Sequence, residues 1–154
     1  MKILDMSAGS RAVWFDKQYR DTTFLDIRPS VNPTIVCDTR AMPPEVGEGY
    51  SLIVFDPPHI NFGANAKMSK NYGHHTTESI RDIIRSSSKE AHRVSIPDAL
   101  MAFKWNDHDQ KLESILALMD PYWEPLFGHL TSVRTKHSSR TYWVLLRRKN
   151  ESGT

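Results

Sequence analysis

Apolar residues along this chain fall into short unbroken runs, separated by polar stretches rich in Gly, Pro, Asn and Asp. Lys2-Ile3-Leu4-Asp5-Met6 reads as a strand, and Ser7-Ala8-Gly9-Ser10 after it as a small-residue turn. A helical stretch is expected next, with Val13, Trp14, Phe15 and Tyr19 on its inner face. Thr23 to Ile27, Thr34 to Asp38 and Ser51 to Asp56 read as three further strands. Continuous apolar runs, as opposed to alternating ones, suit a parallel sheet covered on both faces. Thr76-Thr77-Glu78 has the character of a helix start, and Ile80, Ile83 and Ile84 give the helical spacing beyond it. Ala99 to Trp105 reads as a fifth strand. Asp109 to Met119 reads as a helix with Leu112, Ile115, Leu116 and Met119 inward, stopped by Asp120-Pro121. Trp123 to Thr131 and Thr141 to Leu146 are two closing strands, joined by the polar stretch Ser132 to Arg140.

This alternation predicts an α/β fold with a largely parallel sheet, helices on both faces, right-handed crossovers and an antiparallel C-terminal hairpin. Ligands of such a sheet collect outside the carboxyl ends of its strands. Asp5, Asp26, Asp38 and Asp56 each close a strand, which would gather four carboxylates on that edge. Aspartate often follows a strand merely as a turn former or helix cap. Four in succession, none expected to have a basic partner close in sequence, favour a ligand site.

At 154 residues the chain has room for one domain, read as 1–149 with a polar tail 150–154. Apolar residues at 39% and charged ones at 25% exclude the disordered and fibrous classes. Lys plus Arg number 20 against 18 Asp plus Glu, a net charge of +2 that neither requires nor forbids a polyanionic partner. The single cysteine, Cys37, rules out an intramolecular disulfide, and no spacing supplies a structural metal site. No apolar run reaches the 18 or so residues of a membrane span, and the first residues lack a charged segment followed by an apolar one. A cytoplasmic protein with a retained N-terminus and no membrane association is expected.

Asp56-Pro57-Pro58-His59, directly after the fourth strand, is the sharpest motif. Together with Leu4-Asp5-Met6-Ser7-Ala8-Gly9-Ser10 after the first strand, it resembles the S-adenosylmethionine-dependent amino-methyltransferases, which methylate adenine N6 or cytosine N4. The family's hallmark is Asp, Asn or Ser, then Pro-Pro and an aromatic residue, in that place. The resemblance covers Met1 to about Lys149 and implies a Rossmann-like class I methyltransferase sheet, whose last strand is inserted antiparallel. It also implies S-adenosylmethionine as cofactor, held by Asp5, Ser7, Ala8, Gly9, Ser10, Asp26 and Asp38. In that picture Asp26 takes the ribose hydroxyls and Asp38 the adenine amine, while backbone N–H groups from Ala8 to Ser10 meet the methionine carboxylate.

The same resemblance makes Asp56, Pro57, Pro58 and His59 the catalytic turn. An exocyclic amine is a poor nucleophile because its lone pair is delocalised into the ring. The Asp56 carboxylate and the Pro57 carbonyl would accept its two N–H groups and turn the lone pair toward the methyl donor. Two prolines fix φ and stiffen the carbonyl's direction beforehand, and a flat side chain at position 59 would stack on a base swung out of its duplex. Lys67, Lys70, His74 and His75 of the long loop, with Arg134, Lys136 and Arg140 near the end, are candidate phosphate contacts. The loop from His59 to His75 is expected to close over the substrate.

Two departures from the family pattern stand out: Arg11 where it usually carries a glycine, and His59 where Tyr, Trp or Phe is usual. The length also leaves no space for a target-recognition domain, so specificity would come from loops or from a homo- or hetero-oligomeric partner. The implied partner is DNA or RNA. Two alternatives remain: a glutamine methyltransferase with a related Pro-Pro-Tyr turn, and a catalytically silent relative that binds nucleic acid or an active partner subunit.

Overall fold

The computed structural model describes residues 1–61, 74–132 and 139–150. Seven strands form one sheet: β1 (Ile3–Asp5), β2 (Thr22–Asp26), β3 (Ile35–Val36), β4 (Tyr50–Phe55), β5 (Ser95–Asn106), β6 (Trp123–Ser132) and β7 (Thr141–Arg148). Their order is β3-β2-β1-β4-β5-β7-β6, with β7 antiparallel to both neighbours and the pairings from β3 to β5 parallel. The Rossmann-like sheet with its antiparallel hairpin is therefore present.

Two helices, α1 (Thr77–Val94) and α2 (Leu112–Met119), pack on one face of it. Thr76 caps α1 by accepting from the Ser79 amide, and Ser79 returns the contact to the Thr76 amide, which closes the first turn as a capping box. Ile80, Ile84, Ala91 and Val94 of α1 and Ile115 and Met119 of α2 bury themselves against Leu4, Leu25, Ile53, Phe55, Met101, Phe103, Trp105, Val144 and Leu146. Each large side chain removed from water here contributes on the order of 1.5–3 kcal/mol. The two buried indoles keep their N–H groups satisfied, Trp105 by the Gln110 carbonyl and Trp123 by the Ser88 carbonyl.

The opposite face departs from expectation. Residues 11–20 form successive turns and not a helix, with Val13, Phe15 and Tyr19 exposed. Long-range contacts hold that loop in place. The Trp14 indole N–H donates to Asp5 at 2.7 Å and its ring meets Phe24 edge-on at 5.3 Å. Arg11 lies 4.0 Å over the Phe24 ring and donates to the carbonyls of Lys17 and Asn32. Ile3, Phe24 and Val54 are buried on this side, so β1, β2 and β4 are covered without a helix between β1 and β2. Among the described residues, no helix is long and apolar enough to cross a membrane.

Candidate active site

Parallel pairing brings the carboxyl ends of β1, β2, β3 and β4 to one edge, and Asp5, Asp26, Asp38 and Asp56 with them. Asp5 and Asp26 are buried, while Asp56 keeps a quarter of its side chain open. The turns after β1 and β4 are joined by one hydrogen bond, in which the Asp56 amide donates to the Ser7 hydroxyl at 2.7 Å. The loop after β1, expected to hold the cofactor, and the Asp-Pro-Pro turn therefore sit side by side.

Each carboxylate already has partners. Asp5 accepts from the Ser7 amide at 3.0 Å and from Trp14; burial nevertheless raises its carboxyl to about 6, with the charges of Asp56 and Asp26 adding to the effect. Asp26 is gripped on both oxygens by Arg28, at 3.0 and 3.1 Å, and also accepts the Gly9 amide at 3.0 Å. Burial alone would raise it, but these donors bring it below the usual carboxylate range. Asp38 is likewise held low by hydrogen bonds from Arg40, which reaches on to Asp82. Against the expectation that these two acids have no base close in sequence, the base is two residues on in each case, in Asp26-Ile27-Arg28 and Asp38-Thr39-Arg40.

Gly9 takes φ +48 and Arg11 φ +56, so the loop after β1 does need left-handed backbone at Arg11, the position where the resemblance leads one to expect glycine. The arginine is kept there by its side-chain contacts to the loop and Phe24. The expected amide cradle is largely taken up within the chain. Ala8 N–H goes to the Leu25 carbonyl and Gly9 N–H to Asp26, and no helix follows to add its dipole. Ser10 is exposed at the tip.

At the second turn, Asp56 accepts from the Lys104 ammonium at 2.9 Å. Lys104 is not among the expected site residues; the signal that could have found it is that it is the one charged residue in the apolar run Ala99 to Trp105. His59 Nδ1 lies 3.2 Å from the Pro57 carbonyl, and its ring meets Trp105 edge-on at 6.0 Å. Burial pushes the imidazole below its ordinary value, so the ring is neutral at pH 7. Pro57 is buried and Pro58 half-buried.

His74, exposed, and His75, half-buried, precede the α1 cap. Arg140 is exposed at the start of β7, where its backbone exchanges two hydrogen bonds with Asp107. Lys67, Lys70, Arg134 and Lys136, and the centre of the 59–75 loop, lie outside the described residues.

No family model matches the sequence, and no curated protein does. Solved structures do. The N-methyltransferase NodS from Bradyrhizobium japonicum WM9, in complex with S-adenosyl-L-homocysteine, superposes with a TM-score of 0.64 at 10% identity, over 97% of this chain and 78% of that one. The fold is that of S-adenosylmethionine-dependent methyltransferases. A TehB-like methyltransferase from Corynebacterium glutamicum gives 0.64 at 14% identity, over 96% of this chain and 80% of its own. An rRNA methylase from Streptococcus thermophilus gives 0.59 at 10%, over 96% and 87%. In this methyltransferase fold the Asp56 turn occupies the carboxyl edge of the fourth strand, beside the loop after the first.

Proposed function

We propose that this chain is an S-adenosylmethionine-dependent methyltransferase acting on the exocyclic amine of a nucleobase in DNA or RNA, adenine N6 before cytosine N4. The observation that carries the reading is the Asp56-Pro57-Pro58 turn hydrogen-bonded to the first-strand loop through Ser7. The NodS complex with S-adenosyl-L-homocysteine and the rRNA methylase support the cofactor and the substrate class.

The donor set suits the cofactor. Asp26 and Asp38 are acceptor-only groups at the ends of β2 and β3, able to take hydroxyl and amine donors in exchange for part of their arginine contacts. Gly9 brings the backbone past them with no side chain in the way. When bound, the cofactor supplies an electrophilic methyl group. The chain's own part is to hold the amine. Lys104 occupies Oδ2 of Asp56 and leaves Oδ1 for one amine N–H, while the Pro57 carbonyl accepts the other on a lone pair that His59 does not use. His59, neutral and half-buried, offers a flat ring to the base. Placement of this kind acts on the transition state by orienting the lone pair.

Incubation with methyl-labelled cofactor and separate DNA, RNA and protein pools tests the reading: label is expected in nucleic acid, and label confined to protein would overturn it. A second reading, a silent relative, is favoured by the arginine grip on Asp26. Calorimetry with S-adenosylhomocysteine separates the two, because a protein that binds none at millimolar ligand has lost the first step.

A further inference from the structure

The sheet face opposite α1 and α2 carries a row of side chains that starts at the catalytic turn. Lys104 of β5 contacts Asp56, Trp143 of β7 is the register partner of Lys104, and His129 of β6 is the partner of Trp143. Side chains alternate along a strand, so these residues face away from the Phe103 and Val144 core. Lys104 Nζ lies 5.9 Å from the Trp143 ring centre, within cation–π reach. A second row runs parallel to it through Val54, Ala102, Leu145 and Phe127. Phe127 is 69% exposed, Trp143 and Leu145 are half-buried, and among the described residues no helix covers this half of the face. A contiguous apolar patch rimmed by polar side chains is a mark of an interaction surface.

On this face Lys104 pairs with Asp56 and Arg147 with Glu124, so those charges cancel and the rings say what binds. Flat rings in a row suit a ligand with aromatic faces. Trp143 stands two strand spacings from Asp56, about 10 Å, which is beyond the target base and within reach of its neighbour along a strand. Resting on the reading of Asp56 as the nucleobase-holding carboxylate, we infer that Lys104, Trp143 and His129, with Phe127 beside them, form a stacking platform for bases flanking the target in single-stranded nucleic acid.

The test is a fluorescence anisotropy titration of dye-labelled, adenine-containing single-stranded DNA and RNA 12-mers. Proteins compared are the unmutated chain, Trp143→Ala, Trp143→Phe and Phe127→Ala, with S-adenosylhomocysteine affinity and the melting temperature as controls on the rest of the molecule. Trp143→Ala should weaken the oligonucleotide at least about fivefold, the lower end for one stacked base, and Trp143→Phe should recover most of it, while the controls stay put. Phe127→Ala, at an exposed position, should weaken binding severalfold even if Trp143→Ala does not fold. Equal affinity for the unmutated, Trp143→Ala and Phe127→Ala proteins, or no oligonucleotide binding by the unmutated one, overturns the platform. So does sedimentation as a dimer that Phe127→Asp dissociates, since the face would then belong to a second copy. Methyl transfer to the same 12-mers is scored separately. Trp143-dependent binding without transfer sinks the reading of Asp56 and keeps the platform, whereas transfer with Trp143-independent binding sinks the platform alone.

Discussion

Asp56 is fixed from two sides, by the Ser7 hydroxyl on its amide and the Lys104 ammonium on its carboxylate, and both partners come from distant parts of the chain. Replacing it with Ala removes the acceptor for the amine and touches no residue assigned to the cofactor. Turnover should fall to background with the dissociation constant of S-adenosylhomocysteine nearly unchanged, as label transfer and calorimetry would show. The stability cost should lie between the ~1 kcal/mol of an exposed ion pair and the ~3–5 kcal/mol of a fully buried one, because the part-buried Lys104 ammonium loses its partner. Asp26→Ala should do the reverse and weaken the cofactor by about 1.5–3 kcal/mol, the worth of charge-assisted hydrogen bonds. Calorimetry that finds equal affinity in that variant would leave Asp26 the role of holding Arg28 and the Gly9 amide. Asp56 and the carboxyl-edge acids could be picked out from residue type and strand ends alone. Lys104, Arg28 and Arg40 could not be assigned that way, because a lysine in a strand or an arginine after a turn has a partner only once the sheet is built.

The loop of residues 11–20 shows the same limit at the scale of an element. Strands could be read because each is a local apolar run, and α1 because its cap and its isoleucines lie within a few residues of one another. Val13, Phe15 and Tyr19 imitate a buried helical face, yet all three are exposed. What decides the backbone here is long-range. Trp14 reaches Asp5, Arg11 reaches Phe24 and Asn32, and Arg11 takes a left-handed φ that interrupts any helix. A period count sees none of these. Trp14→Phe should retain the ring and lose the indole N–H, leaving the buried Asp5 short of one donor. The expected loss is about 1–3 kcal/mol in urea unfolding, and an unchanged midpoint would mean that ring packing alone holds the loop. Thr76→Ala should cost about 1 kcal/mol through the broken capping box of α1.

Across the whole molecule, the acids at the carboxyl edge pull stability in opposite directions with pH. Asp26 and Asp38 at that edge, and Glu90 away from it in α1, are held low by arginines, so their contribution is present at neutral pH and is lost as pH falls through the acid range. Asp5 behaves the other way. Its carboxyl is raised to about 6 by burial, so between the unfolded value near 4 and pH 6 the folded chain holds the proton more tightly than the unfolded one. Stability from Asp5 is therefore greatest below pH 4 and is lost as pH rises through 6, by about 3 kcal/mol in all, without discount because the residue is only 2% exposed. His59, held neutral by burial, opposes this trend, since its protonation below the ordinary histidine value favours the unfolded chain. The raw pH profile thus mixes the two, and Asp5→Asn separates them: asparagine keeps an acceptor for Trp14 or Ser7 and cannot ionise. Urea unfolding of both proteins at pH 4, 5, 6 and 7 should show the difference between variant and parent moving in the variant's favour by about 2.4 kcal/mol over that range, with most of the change between pH 4 and 6. A difference that does not move with pH would mean that the Trp14 and Ser7 donors offset the burial of Asp5, so that its carboxyl titrates as it does in the unfolded chain.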